Sequence, residues 1–379
     1  MKNRFILSLF ILVVFLGMFS ASCFAAEKIL FALMGPMTMD QAAAGLHMEQ
    51  GAKLAVKEIN ESGGVNGKEF EYIVGDDQAN ANQAVIVAQK FVVNDDILCI
   101  VGPNNSGCAM SSLPIYEKAG IPMIAPLTTS AALTRLGHKN FVRIIMNDDI
   151  LANKYAEFVV KELGFKNIAV FWENSDFGKG ASDTVLKAIP ELGGKVVGNE
   201  NFVPELDKDF SSQITKFKGL GVDAVLMLCD YTPMALMATQ SKKLGFDAQI
   251  VTSTGGSDSK FIEIAGEAAE GVLVAAAFDP YDQRPKQAAF IKAFQANFNH
   301  LPSEWSAHTY DAVYVLKKAI EMGGTTREKL IEALFNPNFE YDGVTGLIKF
   351  NEYGDVSGKL PIFLKVENGK YVHYNLTKM

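Results

Sequence analysis

The sequence predicts an α/β protein made of two doubly wound halves whose ligand-facing edges oppose each other. Two observations carry this. From Lys28 onward, short β-branched runs alternate with longer amphipathic stretches, the pattern of βα units around parallel sheets, and glycines fall where helices should stop. The rhythm also runs twice, starting afresh after Phe141–Ile145.

The first block reads as strand Ile29–Met34, helix Gly45–Ser62, strand Phe70–Val74, helix Ala81–Val93, strand Leu98–Val101, helix Ser106–Ala119 and strand Met123–Ala125. Gly63-Gly64 and Gly120 end its helices. The second reads as strand Ile168–Phe171, helix Gly178–Leu192, strand Lys195–Phe202, helix Phe210–Lys218, strand Ala224–Leu228, helix Pro233–Leu244 and strand Ile250–Thr252. Thr232 before Pro233 predicts an N-cap and a favoured first-turn residue, while Gly193-Gly194, Gly219 and Gly245 close the helices. From Val272 the rhythm breaks. Helices Lys286–Phe298, Ser306–Met322 and Arg327–Leu334 precede a β-rich tail, Leu347–Phe350, Ile362–Val366 and Tyr371–Tyr374, expected to extend the two existing sheets. Ligands of open parallel sheets sit outside the carboxyl ends of the strands, so two such edges face to face predict a cleft.

Composition narrows the class. The 379 residues are 49% hydrophobic and 21% charged, which excludes a wholly disordered or collagen-like chain and fits two or three domains. Lys2 and Arg4 precede an apolar run, Phe5 to Phe19, too short to span a bilayer and followed by small residues. This predicts a secretory signal peptide over residues 1–25, cleaved after Ala25, and hence an exported protein. A lipoprotein reading would acylate Cys23, but Ser20-Ala21-Ser22 lacks the usual aliphatic residue before it. Without Lys2 and Arg4 the chain holds 33 basic and 43 acidic residues, a formal charge of −10, and no Lys/Arg run exceeds Lys242-Lys243 or Lys317-Lys318. Nucleic acid is excluded as the expected partner. Cys99, Cys108 and Cys229 allow at most one intramolecular disulfide.

Familiar chemistry is missing. No P-loop, GxSxG elbow, HExxH or EF-hand pattern occurs, and Gly178-Lys179-Gly180 lacks the third glycine of a dinucleotide fingerprint. The histidines at 47, 138, 300, 308 and 373 have no metal-ligand spacing, and nothing near Ser106 supplies a base. No cofactor, metal or catalytic residue is expected. Two strand ends instead lead into short polar side chains and a helix start: Gly102-Pro103-Asn104-Asn105-Ser106-Gly107 and Pro126-Leu127-Thr128-Thr129-Ser130. Each could offer backbone N–H groups and hydroxyls to a carboxylate, or simply cap its helix.

The run from Gly51 through Ile59-Asn60-Glu61-Ser62-Gly63-Gly64-Val65-Asn66-Gly67-Lys68, followed by Asp76-Asp77-Gln78, resembles the opening of the leucine/isoleucine/valine-binding protein family. Ile100-Val101-Gly102-Pro103, Pro114-Ile115-Tyr116-Glu117, Phe177-Gly178, Lys208-Asp209-Phe210-Ser211 and Ala269-Glu270-Gly271 extend the resemblance over essentially the whole exported chain. It implies a type I periplasmic binding protein fold: two Rossmann-like lobes joined by three hinge crossovers, near Asn147, Ala277 and Asp355. The lobes would be 26–147 with 278–355 and 148–277 with 356–379. It also implies a monomer that captures a small molecule, most simply a branched-chain or other amino acid, and delivers it to an ABC permease in the inner membrane.

By position, the resemblance implies that Asn105 and Ser106 lie in the carboxylate-binding loop and that Thr128, Thr129 and the backbone of Leu127 form the second loop of that lobe. Phe177 would close over the ligand, or be a plain core phenylalanine. At the amine this sequence departs from the family. The usual acidic residue is replaced by Thr254, followed by Gly255-Gly256. A buried ammonium lacking a carboxylate costs several kcal/mol, so Asp230, beside Tyr231, is the candidate replacement, with helix capping or solvation as its other reading. An amine-free carboxylate, such as an aromatic acid, is the alternative ligand. A ligand sensor of the same fold and a secreted hydrolase with a dispersed active site are the rival functions.

Overall fold

Lys28–Gly35 (β1) is the strand on which the first lobe is built, and its side chains show why a parallel sheet forms here. Phe31 and Leu33 enter the core on one face, Ala32 and Met34 the core on the other, so both faces must be covered by helices. The structure is a computed structural model that describes residues 28–374. The expected signal peptide, its expected cleavage site and Cys23 lie outside the described residues.

Around β1 stand Glu69–Asp76 (β2), Ile97–Val101 (β3), Met123–Ala125 (β4) and Phe141–Arg143 (β5), all parallel, in the order β2-β1-β3-β4-β5. The helices Ala42–Glu61 (α1), Ala81–Phe91 (α2) and Ser106–Lys118 (α3) and the single turn Ala132–Arg135 (α4) connect them. The edge strand β5 is finished from far along the chain. The amide of Arg143 donates to the carbonyl of Gly354, whose φ of 88° and closeness to the Phe141 carbonyl leave no room for a Cβ.

The chain then crosses into Asp148–Glu157 (α5), which runs on as a π turn over Phe158–Glu162. The sequence reading passes over this helix, although Leu151, Ala152, Tyr155, Ala156, Val159 and Val160 are buried at helical spacing. The second sheet holds Asn167–Glu173 (β6), Lys195–Phe202 (β7), Ala224–Leu228 (β8), Gln249–Thr252 (β9) and Leu273–Ala276 (β10). Asp176–Glu191 (α6), Ser211–Gly219 (α7), Tyr231–Lys243 (α8) and Ser259–Ala265 (α9) lie between its strands.

After β10 the chain adds Pro285–Phe298 (α10), Glu304–Glu321 (α11) and Arg327–Leu334 (α12). The Tyr310 hydroxyl of α11 donates to Glu58 of α1, fastening this segment to the first lobe. The tail corrects one expectation. The region around Leu347 joins neither sheet: Tyr341–Gly343 (β11) and Gly346–Ile348 (β12) pair only with each other. Ile362–Glu367 (β13) and Lys370–His373 (β14) do extend the second sheet, antiparallel, in the order β14-β13-β10-β9-β8-β6-β7. Among the described residues no helix is long and apolar enough to cross a membrane, and Cys99, Cys108 and Cys229 are buried free thiols.

Candidate functional site

The carboxyl ends of both sheets open onto one cleft of about 370 Å³. Its first wall begins where β3 ends. Asn105 is the N-cap of α3, with an extended backbone and no capping bond from its side chain, so the first-turn N–H groups of the helix are not taken by it. Ser106 follows, 3% exposed, and its Oγ accepts from the Ser130 amide at 3.2 Å. That bond ties the two loops of this wall together and leaves the hydroxyl proton for another acceptor. From the second loop, Leu127 and Thr129 line the cleft.

Thr128 does not line it, which corrects the sequence expectation. Its side chain is fully buried, because its carbonyl is turned back to accept from Arg143 Nη1 at 2.9 Å. Arg143 is itself fully buried, pairs with Asp355 at 2.7 Å and donates to Thr134 Oγ1. Behind Thr129, whose carbonyl accepts from the Asp148 amide, the Asp148 carboxyl is raised to about 7 by burial, against the opposing pull of the Thr129 hydroxyl and Arg143.

The second wall comes from the other sheet. Ser175, the N-cap of α6, accepts from Gly178 and donates to Glu173 Oε1 at 2.6 Å, while Phe177 in the first turn of α6 lines the cleft. Glu173 ends β6 and is 6% exposed; its Oε2 accepts from the Asp230 amide at 3.3 Å. Asp230, not Thr232, occupies the N-cap of α8, correcting the expected helix start, and its side chain makes no cap bond. It reaches across the cleft instead, where Oδ2 accepts from Gln41 Nε2. Burial raises both the Asp230 and Glu173 carboxyls, and for Glu173 repulsion from Asp230 adds to the effect. Tyr231 donates from its hydroxyl to the Asp40 carbonyl.

Thr254 lines the same wall at the end of β9, and the next residue must be glycine because a Cβ at Gly255 would lie 2.5 Å from the Cys229 carbonyl oxygen. Beside it stands Glu304, the first residue of α11, 4% exposed and accepting from the Ala277 amide at 3.1 Å. Burial raises Glu304 to about 8, opposed by that amide and by the Thr254 hydroxyl.

Of the residues expected from sequence, Asn105, Ser106, Leu127, Thr129, Phe177, Asp230, Tyr231 and Thr254 therefore share one cleft. Gln41, Asn104, Glu173, Glu304 and Trp305 also line it and were not anticipated. Gln41 Oε1 accepts from Asn105 at 2.9 Å and from Asn104 at 3.2 Å, and Trp305 donates to Asn104 at 2.9 Å. Glu173 was legible as a strand-end carboxylate, one turn of chain before Phe177. Glu304 and Trp305 carried a weaker signal, the N-cap Ser303 just ahead of them.

The lining contains seven carboxyl side chains and one lysine, Lys208, which is paired with Asp40 at 2.7 Å. Its field favours a cationic group, while the α3 N-terminus with the Ser106 hydroxyl favours an anionic one. Its buried serine, Ser106, is tied to a backbone amide, and its Ser175 hydroxyl is held by Glu173 in the N-cap of α6.

Residues 28–367 match the family model for periplasmic binding protein. The chain is 35% identical over 339 residues, 89% of its length and 90% of the relative's, to a leucine-, isoleucine-, valine-, threonine- and alanine-binding protein of Pseudomonas aeruginosa. Among solved structures it superimposes on a leucine-binding protein of Thermotoga maritima with a TM-score of 0.85 at 28% identity, covering 92% of this chain and 98% of that one. A branched-chain amino acid transporter substrate-binding protein of Streptococcus pneumoniae, in complex with isoleucine, gives the same TM-score at 27% identity over 91% and 98%.

Proposed function

The chain belongs to the periplasmic binding protein family, and we propose that within it this protein captures an amino acid between its two lobes and hands it to an ABC permease. The observation that carries the reading is the polarity of the cleft, donors on one wall and carboxyls on the other, which complements a zwitterion. The carboxylate of the ligand lies against the first turn of α3, taking hydrogen bonds from the Ser106 hydroxyl and from Thr129 with the Leu127 backbone. Phe177 covers it from the second lobe, and Asp230, with Tyr231 and Thr254 beside it, accepts from its positive end. Asn105 holds the loop through Gln41.

Capture is a shift between open and closed lobes, driven by contacts that exist on both sides only when the cleft is shut. We assign the lobes as 26–147 with 278–355 and 148–277 with 356–379, hinged near Asn147, Ala277 and Asp355. We assign residues 1–25 as the signal peptide and the periplasm as the destination. The protein acts as a monomer and has no catalytic step.

Thermal unfolding tests this. The mature protein, unfolded and refolded to remove carried-over ligand, is heated with amino acids and with the matching acids lacking the amine. Binding to the native state alone raises the midpoint, by about 2.7 kcal/mol of stabilisation at a hundredfold excess over Kd. A shift with an amino acid and none with its deaminated analogue is expected. A shift with the deaminated acid alone would replace this ligand class by amine-free carboxylates.

A further inference from the structure

The second wall holds more carboxylate than one ammonium needs, and it holds it in two places. Glu304 is bonded to the amide that follows β10, beside Thr254 at the end of β9. Glu173 and Asp230 stand at the ends of β6 and β8. In the sheet order β10-β9-β8-β6, the Glu304 position and the Asp230 position are two strands apart, about 10 Å at the usual strand spacing. They are two acceptor positions on one wall.

Their surroundings distinguish them. Trp305, next to Glu304, donates to Asn104 of the loop that opens α3, so the Glu304 position lies at the end of the cleft where the ligand carboxylate binds. Glu304 thereby supplies, from the start of α11, the carboxylate that Thr254 lacks. Asp230 already accepts a donor in this structure, the Gln41 carboxamide, through Oδ2; Oδ1 takes no part in that bond. A protein amide donating there shows that the position is built to receive N–H groups, and Glu173 adds a second carboxyl directly behind it. No arginine lines the cleft, and its single lysine is held by Asp40 at the rim.

We infer that the ligand is an amino acid with a cationic, unbranched side chain: Glu304 with Thr254 takes the α-ammonium, and Asp230 with Glu173 takes the terminal cation. This rests on the amino-acid reading above, narrows its ligand class, and moves the α-ammonium from Asp230 to Glu304. A branched aliphatic side chain would leave Asp230 and Glu173 buried against hydrocarbon, which is unfavourable for either carboxyl. Gln41, which also accepts from Asn104 and Asn105, would then share Asp230 with the ligand.

The test is calorimetric titration of the refolded, ligand-stripped mature protein with L-lysine, L-norleucine and L-leucine. Norleucine has the lysine side chain without its terminal ammonium, so the pair isolates that one group. Lysine is expected to bind about 100-fold more tightly than norleucine, the size of a hydrogen bond to a charged partner. In Asp230→Asn the lysine-to-norleucine ratio should collapse to below about tenfold, whereas Glu304→Gln should weaken both ligands together and keep the ratio. The wild-type comparison stands even if a variant fails to fold. Leucine binding as tightly as lysine overturns the inference and leaves the amino-acid reading intact; no binding by any of the three overturns the inference, and the amino-acid reading itself fails only if the thermal panel above shows no shift with any amino acid.

Discussion

The two walls of the cleft solve opposite problems by opposite means. The first presents neutral donors, the backbone amides of α3 and the hydroxyls of Ser106 and Thr129, backed by Asp148 and by a fully buried Arg143 that pins the Thr128 carbonyl and pairs with Asp355. The second is built from carboxyls that burial pushes toward neutrality, Glu173, Asp230 and Glu304. A preorganised donor wall is ready for an anion before one arrives. The carboxyl wall acquires its full charge only when a cation enters, so its contribution to binding is coupled to protons.

Stability should separate the walls most strongly. Arg143→Met leaves the Asp355 carboxylate and the Thr128 carbonyl without their partner in a dry interior, and an expected 3–5 kcal/mol, about the cost of breaking one side of a buried ion pair, should be lost in urea unfolding of the ligand-free protein. Glu304→Gln, by contrast, replaces a group already largely protonated at neutral pH with a neutral isostere, and should move the same midpoint by less than about 1 kcal/mol. A small loss in Arg143→Met would mean that the first wall is not held from behind and that the contrast is misplaced.

What the sequence made legible follows the same division. The first wall is local: each of its loops is a strand end followed by a helix start, so chain order picks out the two loops, and the family resemblance singles out Asn105, Ser106, Leu127 and Thr129 within them. Thr128 failed because one residue's step along a loop decides which side faces out, and the decision lies with Arg143, distant in purpose from any ligand. The second wall is assembled from β6, β8, β9 and α11, so its members share no window of sequence. Asp230 was singled out through its strand end, Glu173 was missed because the strand runs two residues past Phe171, where the expected strand ends, and Glu304 arrives from the segment where the βα rhythm had already broken. Gln41 could not be read at all, since its role depends on two lobes meeting.

Titration gives the next largest effect. Glu304 ionises near 8 in the ligand-free fold, above the usual carboxyl value, so the native state binds more protons than the unfolded state between about pH 4.5 and 8 and loses stability as pH rises through that window. An ammonium beside it lowers that value, so binding expels a proton and affinity rises with pH, by at most about tenfold per unit for one proton, levelling off above 8. The thermal shift produced by the best amino acid should therefore grow from pH 6 to pH 8, although the ligand-free midpoint falls. Titrations in buffers of different ionisation enthalpy should show proton release at pH 7. Proton uptake, or a flat profile, would mean that the second wall is as fixed as the first.

The smallest effect concerns the contacts that join the walls at the rim. Asp40 pairs with Lys208 at 2.7 Å, Tyr231 donates to the Asp40 carbonyl, Gln41 donates to Asp230 and His47 meets Asp258 at 3.0 Å, so a single segment of the first lobe, residues 40 to 47, grips the second. The Asp40 and Lys208 side chains are about half exposed, at 52% and 48%, and solvent screening limits such a pair to roughly 0.2–1 kcal/mol. Lys208→Ala should accordingly raise the ligand dissociation rate by no more than about fivefold, with the difference shrinking as salt is added. Stopped-flow release at two ionic strengths measures it. A loss beyond tenfold would transfer the closing energy from the walls to the rim, since an exposed ion pair can reach that size only if the ligand contacts contribute little to holding the lobes shut.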